Sequence, residues 1–368
     1  MTKNRILTGL IIIGLVLPQI VYSQGFGIPS KKWGLGFGNL PKFTGVRINS
    51  ADRNVKSVIG INITSWMAKD IDEQTGSFYG LGIGLPMAMG TENRYGASFG
   101  LLAVGATENV FGINLGGVAV GGNNVKGINI GGLAVGSGED LFGINIGGLA
   151  VGSGNDITGI NIGGFAVGAG NNVSGLNVSA IAVGSGKNVS GITLGVLAVG
   201  AGENMMGLNF GGLAVGAGEK LIGINIGGLA VGAGEKVIGL NASVLAVGSG
   251  DVLGGITIAG IAAGAPTIKG LTVAPVVGGM KVSGIILAPV HLRVTSGNSI
   301  DSEAIMKGIS LSAYNHIEGV QKGLTIGIFN YAYKVKGLQL GILNYNRDNP
   351  KGLRLLPVFN TGFGRNKD

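Results

Sequence analysis

The run Gly143-Ile-Asn-Ile-Gly-Gly-Leu-Ala-Val-Gly152, continued by Ser153-Gly-Asn-Asp-Ile-Thr158, carries the pattern that decides the fold. Its opening glycine recurs at positions 127, 143, 159, 175, 191, 207, 223, 239 and 255, always sixteen residues apart. Upstream the same glycine stands at 80, 96 and 112, and the step from 112 to 127 is fifteen. Looser copies begin at Gly45, Gly60, Gly270, Gly284, Gly308, Gly323, Gly337 and Gly352, which makes roughly twenty units in all. A fixed period of this length is the mark of stacked units, each burying a face against the next.

One unit specifies strands. Glycine at this density argues against helix, where each costs about 1 kcal/mol relative to alanine. Branched side chains alternate over short runs, which favours strand. Ile144 and Ile146 share one strand parity and Leu149 and Val151 the other. A bend at Gly147-Gly148 reconciles them, and the expectation is that all four then face one side. Ser153-Gly-Asn-Asp156 reads as a second turn. Two short strands and two turns close one coil, so the predicted fold is all-β, a parallel β-solenoid. At about 4.8 Å per coil, roughly twenty coils would extend about 100 Å.

Asparagine marks the stacking. Asn114, Asn129, Asn145, Asn161, Asn177, Asn209, Asn225 and Asn241 hold one place in successive units, with Thr193 and Thr257 as replacements. In parallel, in-register coils these residues form a ladder of amide hydrogen bonds. The alternative architecture is an outer-membrane antiparallel β-barrel, with one strand of about ten residues per unit. It would place Ile144, Ile146, Leu149 and Val151 on lipid and Asn145 in the lumen. The near-identical turns and a lumen lined mainly by glycine and alanine count against it.

Composition narrows the function classes. Of 368 residues 75 are glycine, only 12% are charged, 45% are hydrophobic, and there is no cysteine. Nine prolines are too few for collagen, and a mean hydropathy of +0.47 excludes a disordered linker. Without cysteine there is neither a disulfide framework nor a thiolate metal site. Residues 1–23 read as a cleavable export signal: Lys3 and Arg5, then the apolar run from Ile6 to Val16, then Ser23 before Gln24. The expected destination is the outer membrane or cell surface, with the periplasm as the alternative. Domains follow the pattern: a segment over 24–44, the repeat array over 45–290, an irregular insertion over 291–307, further repeats over 308–363 and a polar tail over 364–368.

Charge is uneven along the chain. Residues 112–255 hold four basic and seven acidic side chains, a balance of −3, whereas residues 256–368 hold twelve and five, a balance of +7. A basic end suits outer-membrane lipid or lipopolysaccharide, and an extracellular surface is the other partner considered. No basic cluster interleaves with aromatics, which argues against nucleic acid.

Side-chain chemistry is sparse. His291 and His316 are the only histidines. Asp70, Asp72 and Glu73 cluster in the irregular stretch 64–78, and Asp301 and Glu303 in the stretch 291–306. Paired carboxylates could do acid–base work, but solvated turns are the simpler reading. Gly152-Ser-Gly-Asn-Asp156 resembles part of a calcium-binding nonapeptide coil, as does Gly136-Ser-Gly-Glu-Asp140, which makes Asp140 and Asp156 weak calcium candidates. The same place later becomes Asn172, Asn188, Asn204, Lys220 and Lys236, and an ammonium group repels the cation. No cofactor and no catalytic residue is expected.

The last units read Gly323-Leu-Thr-Ile-Gly-Ile-Phe-Asn330, Gly337-Leu-Gln-Leu-Gly-Ile-Leu-Asn344 and, one residue longer, Gly352-Leu-Arg-Leu-Leu-Pro-Val-Phe-Asn360. This resembles the bacterial surface-repeat proteins built from GLxIGxxN units, over residues 308–363 and more loosely through the central array. The resemblance implies an exported envelope protein with a structural or adhesive role and brings no catalytic residues. Phe363 is followed by Gly364-Arg-Asn-Lys-Asp368, which departs from the aromatic ending of outer-membrane barrels.

Overall fold

The computed structural model describes residues 25–296 and 303–363. The expected export signal over 1–23, the polar tail over 364–368 and Asp301 lie outside the described residues. The chain falls into two compact units, Met1–Ala180 and Ile181–Asp368. Each is a parallel β-solenoid.

In the first unit a typical coil is the strand Asp156–Gly163, a bend at Gly164-Phe165, and the strand Ala166–Ala169. Both strands lie parallel and in register on the coil before: Gly143 opposite Gly159, Asn145 opposite Asn161, Val151 opposite Val167. Turns are bonded to turns as well, with Gly148 N donating to Gly131 O at 3.2 Å and Leu149 N to Leu133 O at 2.7 Å. The backbone polar groups of a coil are thus satisfied by its neighbours. This register excludes the barrel alternative, whose adjacent strands run antiparallel.

The sidedness of the strand differs from the expectation. Leu141, Asn145 and Val151 are buried, while Ile144 and Leu149 are 37% and 40% exposed, and Ile146 is half-buried. The four apolar residues therefore do not share a face; Val151 alone points inward. The reason is alternation. Once Asn145 occupies the interior, the residues on either side of it must point out. The bend itself is tight, because a Cβ on Gly147 would collide with the Ala150 carbonyl oxygen.

The stacking begins before Gly45. Trp33–Phe37 runs parallel to Lys42–Asp52 with Gly34 opposite Gly45, and Phe26–Pro29 lies antiparallel on Trp33–Phe37. That short hairpin covers the first open sheet edge.

In the second unit the coils continue from Asn188–Gly195 to Thr267–Val273 in the same parallel register. On either side of the undescribed residues 297–302, His291–Val294 pairs with Val276–Gly279, and Ile305–Lys307 with Lys281–Ser283. Ile305–Asn346 is extended throughout. Gly308 stacks on Gly284, Gly323 on Gly308, and Gly337 on Gly323. The stretch from Gly352 departs from the repeat. After the 3-10 turn Lys351–Leu353, the strand Leu355–Thr361 runs antiparallel along Leu338–Tyr345. Pro357 explains this, since a residue without an N–H belongs on an edge strand and not inside a ladder. Among the described residues no helix is long and apolar enough to cross a membrane.

Candidate interaction surface

The asparagines hold the interior. In the first unit Asn114 Nδ2 donates to Asn129 Oδ1 at 2.9 Å, and Asn129, Asn145 and Asn161 each donate to the next asparagine at 2.8 Å, ending at Asn177. In the second unit Asn209 donates to Asn225 at 2.9 Å and Asn225 to Asn241 at 2.8 Å, with Thr193 and Thr257 in register at either end. These side chains are shielded from solvent, so they are not a ligand surface. The motif GLxIGxxN forms a second run: Asn315 Nδ2 donates to Asn330 Oδ1, and Asn330 Nδ2 to Asn344 Oδ1, each at 2.7 Å.

The titratable residues singled out from sequence do not assemble. Asp156 Oδ1 accepts from the backbone N and the Nδ2 of Asn172, at 3.1 and 2.8 Å, and Asp140 sits half-buried one coil earlier. Among the described residues no group of three His, Asp or Glu side chains could hold a metal ion. Asp70 and Asp72 are exposed beside a short 3-10 turn, where Glu73 approaches Arg53 at 3.7 Å. Glu303 is exposed too.

His291 and His316 belong to an aromatic stack that the sequence does not reveal. His291 lies on Tyr314 with ring centroids 4.9 Å apart, Tyr314 on Phe329 at 5.3 Å, and Tyr331 on Tyr345 at 5.2 Å. These rings come from positions aligned by the coil register, such as His291 opposite Tyr314. Their flat faces meet one another between neighbouring coils. Burial lowers the His291 pKa from 6.5, and His316 and Arg293 lower it further. His316 Nε2 lies 3.3 Å from a Glu318 carboxylate oxygen.

The free chemistry is on the outside of the long strands. In the first unit Ile113, Ile128, Ile144 and Ile160 stand in register, each between 37 and 46% exposed, and Leu133, Leu149 and Phe165 line the adjacent bend. In the second unit Ile192, Leu208, Ile224, Leu240 and Ile256 form the same row. Contiguous exposed apolar rows of this kind are what marks interaction surfaces in proteins generally.

Toward the C-terminus a charge pattern joins the apolar row. Lys269, Lys307, Lys322 and Lys336 are exposed and each precedes one of the stacked glycines. Lys307 and Ile309 alternate with the buried Met306 and Ser310, so ammonium and isoleucine leave the same face of the strand. The +7 balance of residues 256–368 thus includes lysines beside Leu271, Ile309 and Leu324, with Ser283 at the corresponding place beside Ile285. Sequence spacing contained this row, since each lysine sits directly before a unit glycine.

No protein-family model, curated protein or solved structure matches this chain.

Proposed function

We propose that the protein is an exported repeat protein of a bacterial cell envelope, structural or adhesive and non-enzymatic, which seats on anionic lipid through the lysine-flanked apolar face of its second unit. The observation that carries this reading is the pairing of the exposed Ile285 and Ile309 row with Lys269, Lys307, Lys322 and Lys336 on one side of the strands. Apolar side chains favour the acyl boundary by about 25 cal/mol per Å2 removed from water. Each lysine close to an anionic surface adds about 1 kcal/mol, an effect that salt screens. The positively started apolar leader and the resemblance to envelope repeat proteins support export.

Vesicle sedimentation tests the reading. Mature protein is expected to partition onto phosphatidylglycerol-containing vesicles more strongly than onto pure phosphatidylcholine, and less so at high salt. The double substitution Lys307→Gln and Lys322→Gln removes about 2 kcal/mol of attraction, a loss of about 30-fold in partitioning. Equal partitioning onto both vesicle types would rule out the lipid role.

A further inference from the structure

The hairpin that closes the first unit carries its bulk on the outer side. Phe26 pairs with Phe37 and Ile28 with Leu35 across the antiparallel strands, so these four side chains share one face with Trp33. That face points to solvent: Phe26, Ile28, Trp33 and Leu35 are 55, 60, 58 and 40% exposed. Phe26 and Phe37 stack on each other, with ring centroids 5.2 Å apart. Toward the core the hairpin presents glycine. Gly36 is buried there, and a Cβ on it would come 2.8 Å from both the Leu40 and the Phe43 side chain.

Packing on the core accounts for the inward glycine but not for the outward aromatics, since serine, threonine or lysine would serve a solvated hairpin face equally well. The apolar face continues onto the next coils. Leu35 stands in register with Val46 and Val46 with Ile61, and Phe37 stands in register with the exposed Ile48. The charge around it has one sign. Lys31 and Lys32 are exposed at the turn, Lys42 is exposed at the start of the next strand, and residues 25–51 contain no Asp or Glu. Arg47, the one other charge in that stretch, is buried against Asp52. Trp33 directly follows Lys32, so the indole sits at the basic end of the apolar face. Indole, phenyl and branched side chains beside ammonium groups are the composition of elements that lie in a membrane interface.

We propose that this hairpin is a lipid contact of the first unit's own: Phe26, Ile28, Trp33 and Leu35 enter the head-group boundary of a bilayer containing anionic lipid, and Lys31, Lys32 and Lys42 meet its phosphates. The contact shares its class of partner with the lysine row of the second unit and none of its residues. At that depth the apolar side chains leave water, the indole N–H reaches lipid oxygens, and the ammonium groups stay hydrated. A protein partner would need hydrogen-bonding groups on the face, and among Phe26, Ile28, Trp33, Leu35 and Phe37 the indole supplies the only one.

Trp33 and Trp66 are the only tryptophans, so Trp66→Phe in the full mature protein leaves Trp33 as the sole indole reporter. Vesicles of phosphatidylglycerol and phosphatidylcholine are expected to shift its emission to the blue, and brominated acyl chains to quench it. Ile28→Ser with Leu35→Ser, both at exposed positions, should weaken the vesicle titration about tenfold. Quenching of Trp33 at saturating vesicles is expected to persist in the variant Lys307→Gln with Lys322→Gln; its loss there would assign the contact to the second unit alone. Unchanged Trp33 emission on vesicles that sediment the protein overturns the hairpin contact and leaves that of the second unit in place. A blue shift that grows with protein concentration without lipid, and that bromine does not quench, would give the face to a second copy and likewise overturn the proposal.

Discussion

Replacing Gly143 by alanine is expected to open the coils around it, while the same change at Gly136 leaves stability unchanged or slightly raised. Gly143 has φ of +119°, and a Cβ there would run into the carbonyl oxygen of Gly127 in the coil below. An L-residue held in such a conformation carries about 1–3 kcal/mol of strain. The clash cannot relax by a side-chain rotation, because the obstructing atom is backbone within the same ladder. A total of about 3–5 kcal/mol places the substitution among the exceptional ones. At Gly136 the nearest atom to the added carbon is the Gly152 oxygen at 3.9 Å. There alanine reduces the freedom of the unfolded chain and contributes about 0.4–1 kcal/mol of stability. Denaturant titration of the two variants, followed by hydrogen exchange over residues 127–159, checks both signs. Equal effects at the two glycines would contradict the stacking geometry.

The second large effect is expected at Asn145. Alanine there removes the acceptor for Asn129 Nδ2 and the donor to Asn161 Oδ1, both fully buried. Each orphaned buried group costs about 1–3 kcal/mol, so the variant should lose about 2–6 kcal/mol. Asn145→Thr should be milder, because a hydroxyl both donates and accepts, and threonine holds this place at Thr193 and Thr257. Asn241→Thr should be milder still, since Asn241 Nδ2 ends its run without an acceptor. Denaturant midpoints for the three variants give the order; a flat response would mean that the ladder contributes no more than shape.

The period, the strand character and the asparagine row were all legible in the sequence, for one reason. They are properties of a single unit repeated, and register follows from the repeat itself. The sidedness was not legible, because alternating isoleucine is ordinarily the mark of a core face. In Ile144-Asn145-Ile146 the two signals conflict, and the hydrogen-bonded interior row decides between them. Pro357 carried a readable sign that the last copy leaves the ladder, although the copy's match to GLxIGxxN obscured it. The surface lysine row was present in the spacing and becomes meaningful only when the neighbouring isoleucines prove to face outward.

The buried charges of the first unit lay beyond the sequence pattern. Arg47, Asp52 and Arg94, all shielded from solvent, meet because Gly60 stacks under Gly80 across an insertion, an offset of twenty residues where sixteen is the rule. The aromatic stack of His291, Tyr314 and Phe329 has the same origin, since Gly284 stacks under Gly308 across the second irregular segment.

The claim on which the rest depends is the parallel register of successive units, and a cysteine pair tests it most directly in this cysteine-free chain. Thr158 Oγ1 and Ser174 Oγ lie 2.9 Å apart on neighbouring coils. Their backbones are separated by about 4.8 Å, within the span of roughly 4.4–6.8 Å that a disulfide bridges. Thr158→Cys with Ser174→Cys is therefore expected to form an intrachain disulfide on mild oxidation, detected by mass spectrometry. Phe142→Cys with Ser174→Cys, two coils and about 9.6 Å apart, should remain reduced. Failure of the 158–174 pair to close, as antiparallel neighbours with those positions at opposite strand ends would dictate, contradicts the solenoid.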